Sequence, residues 1–533
     1  MPAKPQNITG SMPETLGLKD RLLEILGDGR VLTGDWEREF FSTDVFGSDR
    51  VADFVIRPES VDQLAAAAAA VTAAGYSLVG RGGGTSYTGG ITPDRETSVM
   101  VDTSCLDRIL EVNTDDMYVT VESGVTWKAL HHALKDLPVR TPFWGPFSGD
   151  RATVGGSLSQ NAVLWGSTGH DLSAGSVLGL EVVLADGSRV RTGSAGWGAK
   201  PFFRNYGPDL TGLFLGDTGA LGIKTRATLR LMRRPAEVRT ASFNFTRREA
   251  MSRAMAAVAR EGIVSTCFGM DPVLQYQRVK RASMMKGVRA LKGVIASAGN
   301  KFTGIRKAVR IAVHGKRFID ENGYSFHLVV EGNGRASVNE KLARVREICG
   351  AEGREIENSV PEMLHGDPFV GMTTAIGPEG ERWAPMHGIF PLSDGDAAWA
   401  RIEDLFDRHA ERFDQLGIVA GVLLAVVSST GFVIEPVFYW PGPRTIWYEG
   451  VLDPGDLAHL KDFPDDPAVN QAVTDIRAEL NELFDELRAM HLQVGKKYHY
   501  ARMADPATLD LIKGIKGVVD PENLMNPGSL GLK

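Results

Sequence analysis

The 533 residues exceed what one hydrophobic core serves, so two or three domains are expected, and two is the working number. A content of 43% hydrophobic and 23% charged residues is that of a folded globular chain and excludes a low-complexity or fibrous one. The net charge of −7 speaks against a nucleic-acid binder, and no apolar run approaches the roughly eighteen residues of a membrane span.

The start, Met1-Pro-Ala-Lys-Pro-Gln, lacks the apolar core of a signal peptide, so the cytoplasm is the expected location. Cys105, Cys267 and Cys349 are too scattered for a disulfide framework and show no metal-ligand spacing. Helical spacing runs from Glu14 to Leu26, ended by Gly27-Asp-Gly29. Ser60 is placed to cap an alanine-rich helix from Val61 to Ala74, and Gly75 ends it before a strand at Ser77 to Val79. That strand runs into Gly80-Arg-Gly-Gly-Gly-Thr-Ser-Tyr-Thr-Gly-Gly90, where glycines bring backbone N–H groups close enough to cradle a pyrophosphate. No helix follows these glycines, only a strand at Ser98 to Val101, which disfavours a Rossmann dinucleotide site.

A strand and turn at Val119 to Trp127 and a helix through Leu134 lead to a second glycine-rich region, Gly145 to Asn161, with Gly166-Ser-Thr-Gly-His170 behind it. Two separated glycine loops suggest a long ligand. Val177 to Gly193 reads as a hairpin with an Asp186-Gly187 turn, and Asp209 to Thr225 carries another glycine cluster.

Four segments in order, Arg-Gly-Gly-Gly-Thr-Ser from Arg81, Val-Gly-Gly-Ser-Leu-Ser-Gln-Asn from Val154, Leu-Gly-Leu-Glu-Val-Val-Leu-Ala-Asp-Gly from Leu178 and Asp-Leu-Thr-Gly-Leu-Phe-Leu-Gly-Asp-Thr-Gly-Ala-Leu-Gly-Ile from Asp209, resemble the flavin domain of the vanillyl-alcohol oxidase/para-cresol methylhydroxylase (PCMH-type) superfamily. The likeness covers about Phe54 to Leu231 and returns in Val518-Val-Asp-Pro-Glu-Asn-Leu-Met-Asn-Pro-Gly528. It implies an α+β protein of two domains, a PCMH-type FAD-binding domain over 1–235 and 491–533 and an α+β substrate (cap) domain over 236–490. It also implies extended FAD held by Arg81, Gly82, Gly83, Gly84, Thr85, Ser86, Gly155, Gly156, Ser159, Asn161, Gly166, His170, Gly219 and Ile223. Thr85 and Ala152 or Thr153 stand where relatives carry a His and a Cys tether, so a double tether is ruled out; His387 lies near a further tether position, beside the alternative of a buried, backbone-satisfied histidine.

The 2-hydroxy-acid dehydrogenases of this superfamily carry paired histidines that bind a divalent metal; Phe432 and Tyr439 occupy that spacing here, so no metal is expected. The phenol-oxidising branch holds a phenolate with tyrosines and an arginine. Gly495-Lys-Lys-Tyr-His-Tyr-Ala-Arg502 has those residue types in another order, which makes Tyr439, His491, Lys496, Tyr498 and Arg502 the catalytic candidates. The expected function is hydride transfer from a substrate C–H to flavin N5, on a para-substituted phenol or aromatic alcohol, with a metal-independent D-2-hydroxy-acid dehydrogenase and a non-catalytic flavin module as alternatives. Oxygen, a quinone or a redox protein would each serve as acceptor, and a homo-oligomer is expected. Residues 278–317 are strongly basic with no acid among them and apolar at helical spacing; they could meet an anionic surface at the inner membrane face, meet an acidic redox partner, or pack as a solvated helix on their own protein.

Overall fold

The computed structural model describes residues 17–284 and 323–532; the basic segment lies outside these beyond its start on the helix Pro272–Met284. The alanine-rich stretch forms the helix Val61–Ala73 because the Ser60 hydroxyl accepts the Gln63 N–H that the first turn leaves over. The chain returns as the strand Ser77–Arg81, which pairs parallel with Ser98–Asp102; that strand pairs parallel with Phe54–Ile56, and Val31–Leu32 closes the edge antiparallel. Leu78, Val79, Val99, Met100 and Val101 are fully buried, as strands covered on both faces require.

A second sheet is antiparallel, in the order Ile109–Asn113, Tyr118–Glu122, Ile223–Arg230, Val177–Val183, Arg189–Arg191. The hairpin turns at Asp186-Gly187, with Gly187 at φ +80°. The second glycine-rich region, expected as a loop, contains a short helix, Val154–Gln160, whose N-cap Thr153 accepts the Gly156 N–H at 3.2 Å.

The region expected as the cap holds, among the described residues, an eight-stranded antiparallel sheet whose central strands are Thr266–Met270, Val419–Val427 and Gly431–Trp440. Helices Arg248–Glu261, Arg335–Gly350, Gly395–Leu416 and Pro467–Glu486 cover one face. Strand alternation divides Gly431–Trp440: Phe432, Ile434, Phe438 and Trp440 enter the helix-covered core, whereas Val433, Val437 and Tyr439 face the other way, with Val433 against Val163 and Leu172 of the N-terminal half. After the cap the chain rejoins the first half. The Gln493 N–H donates to Gln160 O at 2.8 Å and the Lys496 N–H to Thr88 O at 2.9 Å, and Met525 bridges in parallel beside Leu78. Among the described residues no helix is long and apolar enough to cross a membrane.

Candidate active site

The first glycine loop is tight for a specific reason. A Cβ at Gly83 would lie 2.0 Å from the Arg151 carbonyl oxygen, one at Gly82 2.3 Å from Thr153 Oγ1, and Gly84 sits at φ +69°. Gly155 is equally confined, since its Cβ would meet that of Ser123 at 2.5 Å. The two glycine segments therefore press together where the two sheets of the N-terminal half meet.

Other elements pin the loop from behind. Buried Asp44 accepts the Gly89 N–H at 2.7 Å on one oxygen and those of Phe46 and Gly47 on the other; burial raises its pKa and the three donors oppose that. Trp447 Nε1 donates to Gly84 O at 2.8 Å. Arg81 lies beneath, its guanidinium over Phe40 and Phe41 and one nitrogen on the Phe41 and Thr43 carbonyls. Its burial pulls the pKa down to about 10.

A cavity of about 450 Å³ opens against this cradle, lined by Gly82, Gly83, Gly124, Asp150, Arg151 and Thr153. Arg81 Nη2, Ser123 Oγ, Asp150 Oδ1, Arg151 Nε, Gln160 Oε1 and Asn161 Oδ1 are buried without a hydrogen-bond partner. Buried polar atoms are rarely left so, and this many around a glycine cradle fit a large polar ligand carrying phosphates.

A second cluster gathers where the cap meets the C-terminal return. His387 is fully buried; its backbone N–H donates to Tyr498 Oη at 2.8 Å, and its Nε2 stands 2.5 Å from Leu492 O. His491 stacks on the Tyr498 ring, centroids 3.8 Å apart, and its Nδ1 lies 2.8 Å from His387 O. Since each of these nitrogens faces a carbonyl, each carries the ring proton. Burial pushes His387 down to about 3 and His491 to about 4, so both rings are neutral at physiological pH. Tyr87, from the glycine loop, packs edge-on against Trp383 and His387 and accepts from Gln493 Nε2 at 2.9 Å.

Two charged groups complete the cluster. Arg477, on the helix Pro467–Glu486, lies 3.9 Å over the Phe46 ring, donates to Tyr87 O, and has no carboxylate within ion-pair distance among the described residues. Burial lowers its pKa, and Asp44, Tyr498, Arg382 and Tyr87 act on its charge. Glu435, in the strand Gly431–Trp440, has the register of Val433 and Val437; burial raises its carboxyl to about 7, with the charge of Arg278 pulling the other way. Tyr87 and Tyr498 both feel the Glu435 charge, and both phenols are pushed up, chiefly by burial.

Residues 52–193 match the FAD binding domain family, and residues 492–530 match the C-terminal domain of FAD linked oxidases. p-Cresol methylhydroxylase with substrate bound aligns at TM-score 0.74 and 17% identity, over 97% of this chain and 96% of that one. A 4-ethylphenol oxidase from Gulosibacter chungangensis aligns at 0.68 and 18%, over the same shares of the two chains. The chain shares the fold of these PCMH-type oxidases and carries the two domain types of FAD-linked oxidases over the matched residues. It is an FAD-dependent oxidoreductase, and in sequence it is similar to a probable mitochondrial D-lactate dehydrogenase of Danio rerio, 25% identical over 95% of this chain and 90% of that one. Glycolate oxidase subunit GlcD of Bacillus subtilis is 30% identical over 42% of this chain and 47% of its own length.

Within this FAD-linked oxidoreductase the expected cofactor residues divide. Gly82, Gly83, Gly84 and Gly155 form the tight turn of the glycine segments, Gly156 and Ser159 lie in the short helix with Ser159 tied to Gly155 O, Asn161 caps that helix, and Ser86 O accepts the Val45 N–H behind the loop. Gly219, at φ +72°, and Ile223, in the core beside Leu78, belong to the adjoining wall. Gly166 and His170 sit at the seam with the cap, where the Gly166 N–H donates to Thr266 Oγ1 and His170 feels Arg140.

The catalytic candidates divide too. Tyr498 and His491 meet, and Tyr439 lines the flavin-domain side of the cap sheet with Phe268 and Val437. Lys496 is committed elsewhere, its Nζ donating to Thr92 O at 2.6 Å, and burial lowers it to about 8. Arg502 does not join the cluster: the helix Tyr500–Met503 turns it outward onto Glu482 and Asp485, its side chain 49% exposed. Glu482, Asp485 and His499 lie within ligating reach of one another, and the Arg502 guanidinium meets their negative charge. Phe432 faces the helix-covered core, so the seven-residue spacing to Tyr439 does not bring those two positions together.

Acid precipitation is expected to leave the flavin in a yellow supernatant. His387 Nε2 is held by Leu492 O and its Nδ1 faces Tyr498 Oη at 3.5 Å, so neither nitrogen is free to attack the ring. A yellow pellet that loses its colour in His387→Ala would overturn this.

Proposed function

We propose that this oxidoreductase removes hydride from the benzylic carbon of a para-substituted phenol or related aromatic alcohol. The observation that carries the reading is the Arg477 guanidinium, which among the described residues has no carboxylate within ion-pair distance and donates to Tyr87 O, beside buried Tyr87 and Tyr498, both of which also feel the half-buried Glu435. A phenol binds there as phenolate, its pKa lowered by the cation. The negative charge then pushes electrons through the ring, so that hydride leaves the benzylic carbon and a quinone methide remains. Where that carbon bears a hydroxyl, Glu435 takes its proton and the aldehyde results. Bound FAD supplies the hydride acceptor, and Trp383, Tyr439 and Phe268 supply the aromatic, water-poor wall.

A second reading is favoured by the D-lactate dehydrogenase likeness over nearly the whole chain. In it Arg477 holds the carboxylate of a D-2-hydroxy acid and His491, whose Nδ1 is held by His387 O, takes the hydroxyl proton on Nε2. Anaerobic bleaching of the bound flavin decides between them: 4-hydroxybenzylic compounds are expected to bleach it and lactate or glycolate to leave it yellow, and the reverse pattern would promote the second reading.

A further inference from the structure

Thr43-Asp-Val45, between the helix Asp35–Ser42 and the strand Phe54–Ile56, is buried although it forms neither helix nor strand. Polar groups in such a stretch have to find their partners one by one. The Asp44 carboxylate supplies three: one oxygen accepts the Phe46 N–H at 2.8 Å and the Gly47 N–H at 3.0 Å, and the other accepts the Gly89 N–H at 2.7 Å from the first glycine loop. A carboxylate accepts on both oxygens. An amide could serve only one side of this arrangement, because its own N–H₂ would face a donor on the other.

The two segments joined in this way are the two that seat Arg477. Its guanidinium lies 3.9 Å over the Phe46 ring, and its Nη2 donates at 3.4 Å to the carbonyl of Tyr87, two residues before Gly89. The Val45 N–H, on Ser86 O at 3.0 Å, ties the same segments together, and Arg382 donates to Phe46 O from the other side. Asp44 acts on the charge of Arg477 without an ion-pair contact between them among the described residues. That separation has a use. A carboxylate in contact would spend the donors of the guanidinium, whereas one bonded to both of its supports fixes where it lies and leaves Arg477 Nε buried without a partner.

We propose that Asp44 is a positioning residue that holds Arg477 in place for an anionic substrate group and, through Gly89, ties that position to the cofactor loop. The proposal rests on Arg477 as the counter-ion of the substrate, which the phenol and the hydroxy-acid readings share. On the full-length, FAD-loaded protein, 4-hydroxybenzaldehyde and oxalate are the probes, each titrated through its perturbation of the flavin spectrum. Arg477→Gln is expected to weaken the probe that binds by about tenfold or more, and Asp44→Asn to do the same at an unchanged flavin-to-protein absorbance ratio. Bound 4-hydroxybenzaldehyde should also titrate about one pH unit higher in Asp44→Asn, since about tenfold less stabilisation of the phenolate is one pK unit, and a role in folding alone would not move that value. Phe46→Leu removes the ring and spares the carboxylate; it should weaken the probe likewise, and it decides the matter if Asp44→Asn fails to fold or to keep its FAD. Wild-type affinity in Asp44→Asn, or in Phe46→Leu where that variant has to decide, beside a loss in Arg477→Gln overturns the proposal and leaves Arg477 as the counter-ion. Wild-type affinity in Arg477→Gln removes both.

Discussion

Gly83→Val is expected to purify without flavin. The added side chain would begin 2.0 Å from the Arg151 carbonyl oxygen, well inside contact distance, and that oxygen belongs to backbone, which cannot swing aside as a side chain could. The backbone around it is fixed on both sides: Ala152 N–H donates to Ser148 O at 2.7 Å, Trp127 N–H to Ala152 O at 3.2 Å and Val154 N–H to Val125 O at 2.8 Å. Relief therefore requires the two glycine segments to part, and these are the segments whose amides and orphaned polar atoms are to hold the pyrophosphate. The flavin-to-protein absorbance ratio should fall more than tenfold. Gly514→Ala, on the helix Pro506–Val519 with nothing within 4 Å of the new methyl, is the matched control: it should keep its flavin and gain some tenths of a kcal/mol from helix propensity. Stoichiometric FAD in Gly83→Val would show that the loop is not the cradle.

The parts legible in the sequence are those that local chemistry dictates. Ser60 caps its helix through its own hydroxyl, the Asp186-Gly187 turn closes its hairpin, and the first glycine loop is needed where it stands whatever lies around it. The substrate side is different, because it is assembled from Tyr87, Trp383, His387, Glu435, Arg477 and Gln493, which no local pattern connects. Arg477 reads in sequence as one more charged residue of a long amphipathic helix, and only packing against Phe46 reveals its direction. Arg502 was the natural candidate by its distance from Tyr498, yet a single helical turn carries it to Asp485. Two signals were available. Positions 432 and 439 differ by an odd number, so a regular strand must put them on opposite faces, and the same parity puts Glu435 with Tyr439. Thr153, three residues before Gly156, is an N-cap pattern that marks the short helix despite its two glycines.

Glu435→Gln should slow turnover by about 10²–10⁴, the usual worth of a positioned general base, and remove the acid limb of the pH profile. In the wild type kcat/KM should rise with pH to a plateau, with its midpoint near the raised value of about 7, because the group must be ionised to accept a proton. Stability should move the opposite way. An unfolded glutamate ionises near 4.3, so from there to about 7 the folded protein binds the extra proton and loses stability as pH rises. Glutamine abolishes that loss, and the variant should melt higher than wild type at pH 8 while being the poorer catalyst. Asp271 and Glu403, raised by burial to about 7 as well, keep their own pH dependence in both proteins, so the difference between the two melting curves isolates Glu435. A structural carboxyl would give the stability difference without the rate effect. Full activity in Glu435→Gln with an unchanged midpoint would therefore remove Glu435 from the chemistry and leave His491, neutral and stacked on Tyr498, as the base to examine next.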